Sequence, residues 1–496
     1  MSLPLDKLRS FSDLCAVASL PQVQEAAIAS DALSSECIHT PLFSYAYTAA
    51  RLNKKQLSLL QTLTEEQAAI PAYQQLLAGD FRNKTETRNV RHTDCRASQK
   101  ETFYQSELER LYTFSDTIRE KNKIDTIVQI GIGGSYLGPQ TCYEALYPWV
   151  RYHEKKTPLT VRFLANVDPI ESRHLLESIN FDSTLFLAVS KSGSTQETSA
   201  NLALLNELAA QKGLSAHQLK KQLISVTCRN SALDDASKFS TTFYMDEAIG
   251  GRFSVTSAVG ALVLSLAFGT DIVKALLSGA HQTDLSFLSP DIKNNAALLD
   301  AAISVWHRTF LGYHTKAIIP YASPLRSLPS YLQQLICESL GKRVDVDNHP
   351  VSYHTSPIVF GELGCNAQHS FFQQLHQGTM ITPVQFIGFD TPIQADPSPS
   401  ELHNQAILNS HLHAQILALA NGNNTNCPAK LCPGDRPSTL IRATILSPSV
   451  MGALLSFYEA SVFFQGVLYH INAFDQEGVQ LGKTIANSLL NSKKES

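Results

Sequence analysis

The sequence predicts an α/β protein built from two doubly wound units, each a parallel sheet with helices on both faces. Two observations carry the prediction. Short apolar runs rich in β-branched residues alternate with helix-compatible stretches, the pattern of parallel strands joined by helical crossovers. These runs fall into two series, with a changeover near 270–300. The length of 496 residues agrees, because it exceeds what one hydrophobic core usually carries.

Taken in order, residues 1–120 alternate apolar and polar positions without strand-like runs, so this segment is expected to be mostly helical. TIVQI at 126–130 opens the first series and stops at Gly131. TVRFL at 160–164, LFLAV at 185–189 and LISVT at 223–227 continue it. AIIP at 317–320 opens the second series, followed by VQFIGF at 384–389 and LIRATIL at 440–446. Apolar spacing over 449–491 fits two helices, and the turn-rich loop 421–437 is expected at the surface. The expected division is a helical segment over 1–105 packed on the second domain, α/β domains over 106–280 and 281–450, and a C-terminal helical arm over 451–496.

Composition narrows the function. With 44% hydrophobic and 17% charged residues the chain suits a soluble globular protein rather than a disordered one. A net charge of −4 argues against nucleic acid as a partner, since binding a phosphate backbone wants a basic face. The nine cysteines are scattered, with no C-x-x-C pair and no zinc spacing, which reads as reduced thiols. MSLPLDKLRSF at the start lacks the apolar core of a signal peptide, and no uninterrupted apolar run is long enough to span a membrane. The expectation is a cytoplasmic protein with no membrane partner.

The most informative stretch is LFLAVSKSGSTQET at 185–198. A buried strand should feed a loop at the mouth of a helix there. Such a loop offers unpaired backbone N–H groups, the positive end of a helix dipole and short O–H donors. One hydroxyl is enough for an ordinary N-cap. Four hydroxyls, at Ser190, Ser192, Ser194 and Thr195, together with Lys191, favour a phosphate cradle.

GIGGSYLGP at 131–139 follows the first strand. Tyr136 stands where a dinucleotide fingerprint needs its third glycine, so that reading fails. Phosphate binding through Gly134 and Ser135 remains, beside a glycine turn that serves packing alone. GVQLGKT at 478–484 has three residues between its glycines where a P-loop needs four, and nucleoside triphosphate binding is discarded.

Four further motifs are modest singly. GGRFSVTS at 250–257 offers Arg252 to an anion, although an arginine after a turn is more often a surface residue. YLQQLICESLGK at 331–342, if helical, puts Gln334 and Glu338 on one face, where the carboxylate could act as a general base. GCNAQHSFFQQLHQGT at 364–379 sets His369 and His376 seven apart on an expected helix. No third ligand of metal spacing accompanies them, and either could be an acid/base group or structural. INAFDQEGVQLGK at 471–483 carries Lys483, a possible proton donor or a helix-surface lysine.

In this order the motifs closely resemble the glucose-6-phosphate isomerase (phosphoglucose isomerase) family from Asn83 to Lys483, including the N.TE.R..RH..CR stretch near the start. The resemblance implies two sugar-isomerase (SIS-type) α/β/α sandwich domains with an N-terminal helical segment and a C-terminal helical arm. It implies interconversion of glucose 6-phosphate and fructose 6-phosphate through a cis-enediolate, without metal or organic cofactor, in glycolysis and gluconeogenesis. Glu338 would move the proton between C1 and C2, and Arg252 would stabilise the enediolate. His376 and Lys483 would assist ring opening. Gly134, Ser135, Ser190, Lys191, Ser192 and Thr195 would hold the phosphate, and Gln334 and Gln476 the sugar. The resemblance also implies a homodimer in which the matching histidine reaches the neighbouring subunit's site. A non-catalytic sugar-phosphate sensor would keep the Ser/Thr loops and dispense with the chemistry, and the presence of every acid/base residue named above speaks against it; an isomerase that also accepts mannose 6-phosphate is the third alternative.

Overall fold

Residues 1–120 are not wholly helical. Cys37–His39 (β1) and Ser44–Ala46 (β2) form an antiparallel hairpin, and Arg82–Asn83 (β3) and Arg88–Asn89 (β4) form a second. Strands of two or three residues are too short to show an alternation, so the sequence pattern hides them. Helices Arg9–Ala18, Lys54–Glu66, Ala69–Leu77 and Thr102–Lys121 make up most of the rest. The computed structural model describes residues 3–20, 27–98 and 102–492. Residues 1–2 and 493–496, at the outer ends of the expected N-terminal segment and C-terminal arm, lie outside the described residues.

The first sheet is formed by Thr126–Ile130 (β5), Thr160–Leu164 (β6), Thr184–Val189 (β7), Leu223–Thr227 (β8) and Thr241–Tyr244 (β9). Its order is β6-β5-β7-β8-β9, parallel throughout. The central strands β7 and β8 are buried at every position, which is why they read as continuous apolar runs. The edge strand β9, TTFY, is partly exposed and gave no such run.

Thr315–Pro320 (β10), Ile358–Gly361 (β11), Val384–Phe389 (β12) and Ser438–Ala443 (β13) form the second sheet with the N-terminal hairpin. The order is β1-β2-β13-β12-β10-β11, with β2 antiparallel to β13 (Leu440 opposite Ala46). The second unit therefore contains residues from both ends of the chain. The strand expected over 440–446 starts earlier and stops at Ala443, because Ser447 already caps the next helix by accepting from the Val450 N–H.

Five helices position the site: Gln196–Gln211 (α1), Leu328–Leu340 (α2), Pro399–Asn421 (α3), Pro448–Leu468 (α4) and Gln480–Ser492 (α5). The expected arm boundary at 451 falls inside α4, and α4 is no arm. It is buried on every side, polar Ser456, Glu459, Ser461 and Gln465 included, and it lies in the core against Thr270–Ser286 and Ala296–Val305. Glycine allows that contact: a β-carbon on Gly452 would stand 1.9 Å from the Leu276 carbonyl oxygen. Of these five helices only α5 is exposed throughout its described residues, 480–490 and 492. The expected boundary at 280 likewise falls inside the continuous helix Thr270–Ser286.

Candidate active site

The first sheet changes winding direction at β5. The chain steps from β5 to β6 on one side and then returns to β7 on the other. Crevices at the carboxyl ends of such strands are where open α/β sheets bind ligands. The two loops leaving β5 and β7 are GIGGSYLGP and SKSGSTQET, and they start side by side: a β-carbon on Gly131 would lie 2.7 Å from the carbonyl oxygen of Val189, the last residue of β7.

The hydroxyl-rich loop is internally braced. Ser190 is buried, its Oγ lies 2.8 Å from Thr195 Oγ1, and it accepts from the Gly193 N–H at 3.1 Å. Thr227 Oγ1 donates to the Ser190 carbonyl at 2.7 Å. Gly193 has φ +69°, and a β-carbon there would meet the backbone nitrogens of Ala232 and Leu233 at 2.7 Å. Thr195 occupies the N-cap position of α1, but its hydroxyl faces Ser190 instead of capping the helix. The first N–H groups of α1 therefore stay available beside exposed Ser192 and Ser194.

Arg252 is 2% exposed, so the surface-arginine reading is wrong for it. Its Nε donates to Ser339 Oγ at 2.7 Å, and Nη1 donates to Gln476 Oε1 at 3.0 Å. Nη2 donates to the carbonyls of Ala473 at 2.5 Å and Asp475 at 3.0 Å. Burial pulls its pKa below the ordinary value, with Glu338 and Asp475 opposing, yet a guanidinium stays charged in proteins. Nη1 lies 3.6 Å from Glu338 Oε2.

Glu338 and Gln334 stand one turn apart on α2, as the sequence spacing predicts, and Gln334 Nε2 donates to Glu338 Oε2 at 3.0 Å. Gln334 also reaches the glycine loop, since a β-carbon on Gly133 would stand 3.1 Å from its Nε2. Together with Lys191, Gln476 and Lys483 these groups wall a cleft of about 190 Å³. Lys191 donates to the Ile249 carbonyl at 2.9 Å. Burial, reinforced by Arg88, lowers its pKa. Ser190 and Ser192 flank Lys191 in the chain, and Gly134 packs against Gly251 next to Arg252.

His376 is not brought to the cleft of its own chain. The expected helix over both histidines is broken, with Gly364–Gln368 and Phe372–Gln377 separate. The adjacent rings Phe371 and Phe372 part company there: Phe372 enters the core, and Phe371 packs on Phe360 of β11. His376 is half-buried, with Nε2 2.8 Å from Gln415 Oε1 on α3, whereas His369 in the break is exposed.

The family model for phosphoglucose isomerase matches residues 46–496. The chain is 44% identical over 464 residues to a glucose-6-phosphate isomerase from Treponema denticola, covering 90% of this chain and 87% of that protein. A Borreliella afzelii protein of the same name is 41% identical over 469 residues, with the same coverage. A crystal structure of a glucose-6-phosphate isomerase from Chlamydia trachomatis superposes with a TM-score of 0.92 at 36% identity, covering 100% of this chain and 97% of that one. The chain belongs to the phosphoglucose isomerase family.

In this family member, sequence reasoning missed several contributors to the cleft. Glu86 and Arg88, from the β3–β4 hairpin, line it and pair with each other. Phe474 forms part of its wall. The N.TE.R pattern was the available signal, but nothing local shows that a hairpin at 82–89 reaches helix α2. Asn472 brings it there by donating to Asn83 Oδ1 and Thr85 Oγ1, both at 2.7 Å.

Proposed function

We propose that this chain interconverts glucose 6-phosphate and fructose 6-phosphate by moving one proton between C1 and C2 through a cis-enediolate. The observation that carries the proposal is the 3.6 Å approach of the buried Arg252 guanidinium to the Glu338 carboxylate. Isomerisation removes a weakly acidic proton beside a carbonyl, and one base can return it to the neighbouring carbon. Glu338 is that base. Negative charge then develops on oxygen, and a guanidinium already fixed by Ser339, Gln476 and two carbonyls stabilises it without reorganising.

The remaining roles are those the family resemblance implies. Gly134, Ser135, Ser190, Lys191, Ser192 and Thr195 hold the phosphate, whose distance from the reacting carbons makes its binding energy serve orientation. Gln334 and Gln476 contact the sugar, and Lys483 assists ring opening. We assign the accompanying histidine to the partner subunit of a homodimer. His369 suits this better than His376, because its imidazole is exposed while His376 is engaged with Gln415. The reaction serves glycolysis and gluconeogenesis in the cytoplasm, a compartment in keeping with nine free cysteines.

The test uses C2-deuterated glucose 6-phosphate followed by NMR. Fructose 6-phosphate with part of the deuterium transferred to C1 is the expected result. Bound but unconverted substrate would leave a phosphate cradle without the assigned chemistry.

A further inference from the structure

Arg252 and Glu338 come from different parts of the fold, and something must hold their spacing. Three of Arg252's hydrogen bonds go to the 473–476 turn beyond α4. Glu338 sits near the C-terminus of α2. Lys342, just past the end of α2, bridges the two. Its ammonium donates to the Glu338 carbonyl at 3.0 Å and to the Asp475 carbonyl, and pairs with Asp475 Oδ1 at 2.8 Å. The Asp475 carbonyl thus accepts from Lys342 and from Arg252 at once.

The other Asp475 oxygen fixes the same turn from the opposite side. Oδ2 accepts from Thr85 Oγ1 at 2.7 Å and from Asn472 Nδ2 at 2.9 Å. Lys342 and Asp475 are each only 12% exposed. Burial pulls the Lys342 pKa below its ordinary value, Arg252 reinforcing the shift and the hydrogen bond and ion pair to Asp475 opposing it.

We infer that Lys342 and Asp475 form a positioning clamp that sets the distance between the Arg252 guanidinium and the Glu338 carboxylate, and thereby the rate of proton transfer. Lys342 acts through Glu338 and Arg252 and has no assigned contact with substrate. The inference rests on the roles proposed above for those two residues.

The experiment is steady-state kinetics in both directions, with thermal melting, on Lys342→Met, Lys342→Arg, Asp475→Asn and Glu338→Gln. Displacing a reacting group by about an ångström costs on the order of 100-fold in rate, so Lys342→Met should lose about 10- to 100-fold in kcat with KM within about threefold of wild type. Lys342→Arg retains the cation and should recover most of that loss. Asp475→Asn should behave like Lys342→Met, and the double variant should be no worse than the poorer single one.

A folded Lys342→Met with wild-type kcat overturns the clamp. So does an equal loss in Lys342→Arg, or a loss that tracks the melting temperature alone. If Lys342→Met does not fold, Asp475→Asn decides by the same criteria. An inactive Glu338→Gln beside a fully active Lys342→Met removes the clamp only, whereas a fully active Glu338→Gln removes the underlying assignment.

Discussion

Gly134 and Gly251 are in backbone contact: a β-carbon built on Gly134 would stand 2.0 Å from the Gly251 carbonyl oxygen and 2.8 Å from the Arg252 nitrogen. The loop after β5 is thus pressed on the turn that presents Arg252. The contact is one-sided, since a β-carbon on Gly251 meets nothing within 4 Å. Gly134→Ala should therefore push the Arg252 turn aside and lower kcat/KM by at least about tenfold, a loss near 1.4 kcal/mol in transition-state binding. Gly251→Ala should stay much closer to wild type. Equal behaviour of the two variants would remove the steric argument.

In the hydroxyl-rich loop, buried and exposed serines make separable contributions. Ser192 is exposed, and its only described partners are in Ser194, so its loss should leave folding intact. A hydrogen bond to a charged group contributes about 1.5–3 kcal/mol, so Ser192→Ala should raise KM for the sugar phosphate by roughly 10-fold or more with little change in kcat. Ser190→Ala should raise KM and also lower the melting temperature, because Ser190 Oγ braces Gly193 and Thr195. Unchanged KM in Ser192→Ala would mean that this hydroxyl does not face the phosphate.

Much of this site was legible because its signals are local. The loops after β5 and β7 follow strands whose double burial demands apolar residues, and the one-turn spacing of Gln334 and Glu338 survives in α2. Arg252 was illegible for the opposite reason: its burial depends on acceptors in Ala473, Asp475 and Gln476, more than 200 positions away. The hairpin β1–β2 was hidden by length, and its place in the second sheet depends on pairing with β13, far along the chain. The α4 helix gave its length but not its depth, since burial on all sides leaves no amphipathic stripe to orient it.

A buried histidine outside the site makes stability depend on acid. His307 is buried beside Lys316, and burial, helped by that ammonium, pushes its pKa down to about 3. The unfolded chain binds the proton near pH 6.5, so the folded state is penalised as pH falls. The contribution is fully present above about pH 6.5 and declines toward pH 3 by about 1.4 kcal/mol per unit. His307→Gln cannot titrate, so its urea midpoint should fall less than the wild type's between pH 7 and pH 5. Parallel curves would show that His307 is not the titrating group. His92, also buried with a strongly lowered pKa, should leave some residual slope.

The two histidines of the 364–379 segment can be separated by complementation. His376 is held to Gln415 within its own chain, so His376→Ala should mainly lower stability. His369 is exposed in the break between two short helices, so His369→Ala should lower kcat by about 100-fold or more while the protein stays folded. If the imidazole serves the partner's site, mixing His369→Ala with Glu338→Gln builds one intact site in each mixed dimer. The site whose Glu338 is native then faces the chain whose His369 is native. Random pairing should restore about a quarter of wild-type activity from two inactive parents, because half the dimers are mixed and each has one working site of two. If the histidine acts within its own chain, every site in the mixed dimer carries one defect and no activity returns.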